Sequence, residues 1–265
     1  TANAALGAGA LTSRGSSTLS GTAAAATVDV LDGQLRLAAA DRLADTAVLT
    51  VARGATLRLD GNDRLASLAL AGTLAGNGTL TAASYALEGG TVNAALGAGT
   101  LSSRGASTLT ATAAAGSVTV DEGTLTLGDA GRLTAAPALS VTSGATLQLG
   151  GDEILGTLAG LGTVDLGAFT LRSGVGGDSR FDGVLHGSGG FVKQGAGQFT
   201  LGGDSLYTGS TQVQAGTLML VGSLASQQLQ VDGGTLALAA ADRLADTAML
   251  NVARGAVLSL AANER

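Results

Sequence analysis

From Thr27 to Leu37 the chain reads TVDVLDGQLRL: apolar Val28, Val30, Leu35 and Leu37 alternate with polar residues on either side of a glycine. Alternation with a period of two describes short strands with one buried face. The frame V-x-x-G-x-L-x-L returns at Val30–Leu37, Val120–Leu127, Val213–Leu220 and Val231–Leu238. A form one residue longer, V-x-x-G-x-x-L-x-L, occupies Val51–Leu59, Val141–Leu149 and Val252–Leu260. Val30 to Val51, Val120 to Val141 and Val231 to Val252 are each 21 residues apart. Two short strands and a glycine corner at this period predict one coil of a solenoid. The predicted fold is all-β: a right-handed parallel β-helix (β-solenoid) with about 20–21 residues per coil. Glycine suits the corner because it adopts φ > 0 without a Cβ clash. Val should then stack on Val and Leu on Leu, each coil completing the ladder and apolar stripe of its neighbour.

A larger repeat overlies this one. NAALGAGALTSRGSSTLSGTAAAATVDVLDGQLRL, from Asn3, returns at an offset of 90 as NAALGAGTLSSRGASTLTATAAAGSVTVDEGTLTL, from Asn93. After six deleted residues, GTLAGNGTL (Gly72–Leu80) matches GTLAGLGTV (Gly156–Val164). LAAADRLADTA, Leu37–Ala47, recurs unchanged at Leu238–Ala248, and the pattern of Leu37–Arg64 restarts from about Leu238 to Arg265. The expected organisation is a single continuous β-helix segment, 1–265, with repeat units at about 1–90, 91–174 and 175–265, the last truncated. Since Thr1 stands where a Met would, the chain reads as a fragment of a longer protein. ADRLADTA fits a corner between coils. Leu43 should point inward, and Asp41 and Asp45 should accept backbone N–H bonds. In the middle copy Gly131 and Ala135 replace these two acids, so a ligand site needing both would be lost there.

Composition narrows the picture. There are 43 Gly, one Pro (Pro137), four Phe, two Tyr and no Trp, while 45% of residues are hydrophobic. The apolar mass is Leu, Val and Ala, which suits a narrow aliphatic interior rather than a round core. The net charge of -6 and the single Lys193 argue against nucleic acid and anionic membranes as partners. The absence of Cys excludes disulfides and thiolate metal sites. No apolar run of 18 residues occurs, so no direct membrane insertion is expected of this segment.

One stretch is more particular. GGFVKQGAGQFTLGGDSLYTGSTQVQAGTLML, Gly189–Leu220, opens with Gly190, Phe191, Lys193, Gly195 and Gly197. It continues through Phe199, Leu201 and Gly203 to Tyr207, Thr208, Gly209 and Thr211, and closes with Val213, Gly216 and Leu218. This order resembles the autotransporter-associated strand repeat, also called the passenger-associated transport repeat. Phe191 and Phe199 replace the usual aliphatics, and Asp204-Ser205-Leu206 precedes the Tyr. The remainder resembles passengers of bacterial type V secretion, either autotransporters or filamentous-haemagglutinin-like two-partner exoproteins. The resemblance implies a secreted or outer-membrane-tethered cell-surface shaft, and it accords with a chain that lacks Cys and is exported unfolded.

Candidate chemistry is sparse. His186, the sole histidine, would be needed by a triad with Ser188 or Ser179, and sits in a Gly-rich corner. Asp121-Glu122 and Asp152-Glu153 are paired acids, but neighbours on a strand point to opposite faces and do not make a catalytic pair by themselves. Asp32, Asp121 and Asp232 would need stacking to meet other acids. GGDSR (Gly176–Arg180) and GGDSL (Gly202–Leu206) lack the nine-residue period of a calcium coil. Asn77-Gly78-Thr79 is a sequon that also reads as a turn. Phe169, Phe181, Phe191, Phe199 and Tyr207 are read as filling for wider coils, with a ligand-binding surface as the competing reading. Arg14 and Arg104 occupy matching places and are expected in a solvated edge row. Thr108-Leu-Thr110 and Thr124-Leu-Thr126 suggest a water-ordering face, which Gln34-Leu-Arg36 interrupts.

No catalytic, cofactor-binding or metal-ligating residue is assigned, no cofactor is expected, and the chain is not read as an enzyme. The expected role is a structural shaft in a large bacterial adhesin or autotransporter passenger, supporting adhesion, aggregation or biofilm attachment. The alternative is a module that binds glycan or host protein on one face, with a polysaccharide-degrading enzyme behind it. A polysaccharide, a host or bacterial surface ligand, and self-association are the partners this reading admits.

Overall fold

The computed structural model describes residues 1–263; Glu264 and Arg265, the last residues of the third repeat, lie outside them. Among the described residues all regular structure is β-strand, with no helix to cross a membrane. Strands of successive coils pair in parallel, as Thr27–Val30 does with Val48–Val51. The chain forms two compact units, Thr1–Val118 with Thr124–Gly128, and Thr119–Gly123 with Asp129 onward.

In the first unit two sheets run side by side. One stacks Ala10–Ser13, Thr27–Val30, Val48–Val51, Asp63–Leu70, Thr79–Glu88 and Thr100–Arg104 in chain order. The other stacks Ser16–Leu19, Gln34–Leu37, Thr56–Leu59, Thr73–Gly76, Thr91–Val92, Ala106–Leu109 and Thr124–Leu127. The predicted columns are present. Val30 lies beside Val51 and Val51 beside Leu70, while Leu35, Leu57, Leu74, Val92, Leu109 and Leu127 form an unbroken line. All of these are at most 2% exposed. Burying each such side chain contributes about 1.5–3 kcal/mol. The step between coils varies: Val30 to Val51 takes 21 residues, but Leu87 to Ser103 only 16. At the tight coil Tyr85 is buried, its hydroxyl accepting from Ala82 N–H (2.8 Å) and donating to Leu80 O (3.1 Å).

The second unit carries a third sheet. Glu153–Leu155, Thr170–Ser173, Gly190–Lys193, Thr211–Val213, Gln228–Val231 and Met249–Val252 stack in that order. Beside it runs the series Ala138–Val141, Thr157–Gly160, Ser179–Phe181, Gln198–Leu201, Thr217–Leu220, Thr235–Leu238 and Val257–Leu260. A shorter series, Thr146–Leu149, Thr163–Asp165 and Val184–His186, completes the three-strand coils. After His186 the short series gives way to the single bridges Ser205–Leu224–Leu244. The repeat therefore slips round by one wall. The frame Val141–Leu149 spans the long series and the short one, whereas its copy Val252–Leu260 spans the third sheet and the long series. The sequence reading of two strands per coil holds on either side of this region but not within it.

Corners follow the expected chemistry with one variation. Gly33, Gly123, Gly216 and Gly234 have φ between 64° and 72°; Gly54, Gly144 and Gly255 between 81° and 88°. Asp41, Gly131 and Asp242, at one position of the three corner copies, all have positive φ (53°, 61° and 56°). In two copies the corner is closed by Ala47 N–H to Ala44 O and Ala248 N–H to Ala245 O. Pro137 has no N–H to do this. There the preceding Ala136 adopts φ 46°, and its carbonyl accepts from Gly156 N–H.

Candidate functional site

The acids flagged in the sequence close the backbone rather than face a cleft. Glu153 is 1% exposed; its Oε2 accepts from Arg132 N–H (2.9 Å) and its Oε1 from Leu133 N–H (3.0 Å). Asp63, at the matching place 90 residues earlier, accepts from Arg42 and Leu43 N–H through Oδ2 (2.8 and 3.3 Å) and from Arg64 N–H through Oδ1 (2.9 Å). Unsatisfied buried N–H groups are costly, and each carboxylate removes two at the corner of the preceding coil. Burial pushes both carboxyls above their ordinary values, against the pull of these N–H donors. The expectation that Asp41 and Asp45 cap this corner is corrected: both are exposed, and the capping acid comes from the next coil, where the register delivers it. Leu43 and Leu133 do point inward, 5% and 3% exposed.

The other polar candidates behave alike. Asp152 accepts from Thr170 N–H (2.8 Å) and pairs with Arg172 (3.1 Å), which together hold its carboxyl below the ordinary value. Asp178 and Asp204, in the two GGDS segments, accept from Gln198 N–H (2.7 Å) and Ser223 N–H (2.8 Å) on the following coil. Asp32 accepts from the adjacent Gly33 N–H (2.7 Å). Asp121 is half-buried and Glu122 exposed. Asn77 is exposed in a turn. His186 Nδ1 lies 3.6 Å from Asp165 Oδ1, while Ser188 Oγ donates to Gly167 O (3.2 Å) and Ser179 lies on another strand series. Arg14 and Arg104 are exposed, but four strands of their sheet separate them, and the ladder neighbour of Arg104 is Glu88. They form no row. A threonine column does exist, Thr56–Thr73–Thr91–Thr108–Thr126, but the column beside it starts Arg36–Arg58–Ala75.

Residues 190–220 concentrate what is unusual inside the molecule. Lys193 is 0% exposed, and its Nζ donates to Gln194 O (2.6 Å), Gly195 O (2.8 Å) and Ala215 O (3.1 Å). Three ammonium protons thus meet three carbonyls at a corner spanning two coils. Burial lowers the pKa of this amine, opposed by Asp178. Phe181, Phe191, Phe199 and Tyr207 are all 0% exposed, with Phe191 and Phe199 ring centroids 5.1 Å apart. Tyr207 and Thr211 hydroxyls are 2.6 Å apart, and burial pushes the phenol up. Only Phe169 is partly accessible. The four buried aromatics are core filling, Phe181 in a coil of three strands and Phe191, Phe199 and Tyr207 in the coil that follows it, and the alternative of an exposed aromatic binding surface is not supported.

The passenger-associated-transport-repeat family matches residues 191–220, the stretch built around this lysine and its aromatic neighbours. The chain resembles an autotransporter passenger. A relative is the "Adhesin BmaC autotransporter" of Brucella suis biovar 1 (strain 1330), 35% identical over 111 residues. The match covers 34% of this chain and 3% of that relative, so the chain spans a small fraction of the relative's length. No solved structure matches. In the passenger repeat the signature residues now have physical roles: Lys193 clamps carbonyls, Phe191 and Phe199 pack together, and Tyr207 with Thr211 closes a buried polar pair. Gly216 turns at φ 67°, where a Cβ would lie 2.3 Å from Gly197 O.

Sequence reasoning passed over one surface feature next to the passenger repeat. Gln212, Gln230 and Asn251 lie side by side on the outer face of the third sheet. Alternation in TQVQ and QLQV carried the signal, but only the register joins the two segments into one face.

Proposed function

We propose that this chain is a structural segment of the passenger of a large secreted or cell-surface bacterial adhesin, supporting adhesion or aggregation by holding other regions of the passenger away from the cell. The observation that carries the reading is the passenger repeat at 191–220 set within parallel stacked coils whose core columns are almost wholly aliphatic. Its polar side chains are used to satisfy coil edges, as Asp63, Glu153 and Lys193 do, which is the chemistry of a scaffold and not of turnover. Similarity to a named adhesin supports the setting.

The test replaces residues 1–265 in the full-length protein with an unrelated parallel β-solenoid of similar coil number, alongside a plain deletion. Surface exposure is scored by antibody accessibility, and attachment by retention of cells on surfaces coated with host protein and free of polysaccharide. A scaffold predicts that replacement keeps attachment while deletion lowers it. Loss of attachment on replacement, with display intact, would overturn the reading.

A further inference from the structure

The outer column of the third sheet in the second unit runs Ile154, Arg172, Val192, Gln212, Gln230 and Asn251, and its last three strands carry amides. Gln212, Gln230 and Asn251 form one column along consecutive strands. Gln194 and Gln214 lie alongside, and a hydrogen-bonded chain links them. Gln194 Nε2 donates to Gln214 Oε1 (3.0 Å), and Gln214 Nε2 donates to Gln212 Oε1 (3.1 Å). Gln212 Nε2 then donates to Asp232 Oδ2, and Gln230 Nε2 to Asp232 Oδ1 (2.6 Å). The carboxylate is an acceptor for two amides, so it sets their direction, and the others follow in sequence. A groove of about 270 Å³ lies beside this chain, lined by Ser210, Gln228, Leu229, Gln230, Met249 and Asn251. Gln228, Gln230 and Asn251 are exposed, and Met249 is 66% exposed.

We infer that this face is a binding site for a neutral, hydroxyl-rich polysaccharide lying across the strands. The charge selects the class. The amides and Asp232 include one carboxylate and no cation, and Arg172, two strands further along the same column, is already paired with Asp152, so a sulfated or uronic chain would meet repulsion with no uncompensated counter-charge. Amides offer both donor and acceptor, which suits hydroxyls that are both as well. Because the Asp232 network orients these groups in the free protein, less ordering is required on binding. Adjacent strands are spaced roughly 4.8 Å apart, close to the length of one pyranose residue in an extended glycan. Consecutive coils would therefore meet consecutive sugars, and Met249 offers an apolar surface to a ring face. Individual contacts are weak, and affinity accumulates with the number of sugars bound. This site is distinct from the buried aromatics, and it deepens the adhesin reading by naming a ligand class. Failure of binding would leave the scaffold test above unaffected.

The experiment applies the chain to an array of neutral glucans, galactans and mannans beside uronic and sulfated polysaccharides. The expected result is saturable binding to neutral members, weakened at least tenfold in Gln212→Ala/Gln230→Ala and unchanged in Arg36→Ala/Arg58→Ala on another sheet. Gln230→Glu, which keeps shape and adds charge, should weaken binding similarly and decides the matter if the double variant fails to fold by circular dichroism. Binding confined to acidic polysaccharides, binding insensitive to these variants, or no binding to any member overturns the proposal.

Discussion

Gly33 and Gly54 turn corresponding corners of neighbouring coils in the first unit, at φ 64° and 81°. A Cβ added at Gly54 would meet nothing within 4 Å, whereas one at Gly33 would lie 2.4 Å from Gly15 O on the coil beneath. Both alanine substitutions place an L-residue in the left-handed region, at a cost of about 1–2 kcal/mol. Roughly 0.4–1 kcal/mol returns because alanine narrows the unfolded ensemble. Gly54→Ala should therefore cost about 0–1.6 kcal/mol. Gly33→Ala must also push apart coils whose backbones pair, an overpacking term of about 1–3 kcal/mol. Equilibrium urea unfolding followed by far-UV circular dichroism reads the difference as a lower midpoint at unchanged slope. Equal shifts for the two variants, or a larger one for Gly54→Ala, would refute the claim that glycine at Gly33 is held by contact between coils as well as by φ.

Ala136→Gly should stabilise by about 1 kcal/mol, the reverse of the usual sign, because φ 46° is relieved; the thermal midpoint checks it. Ser103→Ala should also raise stability by roughly 1 kcal/mol, since its hydroxyl is 0% exposed without a hydrogen-bond partner and removing it leaves no group stranded. Lys193→Met should lower stability by about 2–4 kcal/mol by stranding three carbonyls, as a urea midpoint would show. Glu153 has a raised folded pKa, so its contribution is full below the ordinary glutamate value and fades as pH rises through the folded one. The stability of the parent relative to Glu153→Gln should fall across that window and then level, in urea midpoints taken at a series of pH values.

The coil frame was legible because it is local: Val28, Val30, Leu35 and Leu37 alternate within one stretch, and Gly33 marks the bend. What escaped the sequence depends on contacts about 20 residues away. Asp63 caps Arg42 and Leu43, and nothing near those residues announces it, so the eye falls on Asp41 and Asp45 instead. Columns on the outer faces depend on coil length, which ranges here from the 16 residues of Leu87 to Ser103 to the 22 of Leu238 to Leu260. The amide face was invisible for that reason, and of the threonine column only Thr108 and Thr126 drew notice, without the register that joins them to Thr91, Thr73 and Thr56. The third sheet was missed because TLRS at Thr170–Ser173 and GFVK at Gly190–Lys193 stand outside the V-x-x-G frame.

The slip by one wall within the second unit bears on how such a chain diversifies. When Val141–Leu149 and Val252–Leu260 occupy different sheets, copying a segment also turns it to a new compass bearing. Thr146 and Gln148 look out from one side, while Val257 and Ser259 at the equivalent places look out from another. Duplication in this architecture therefore yields fresh surroundings for old side chains before a single codon has changed.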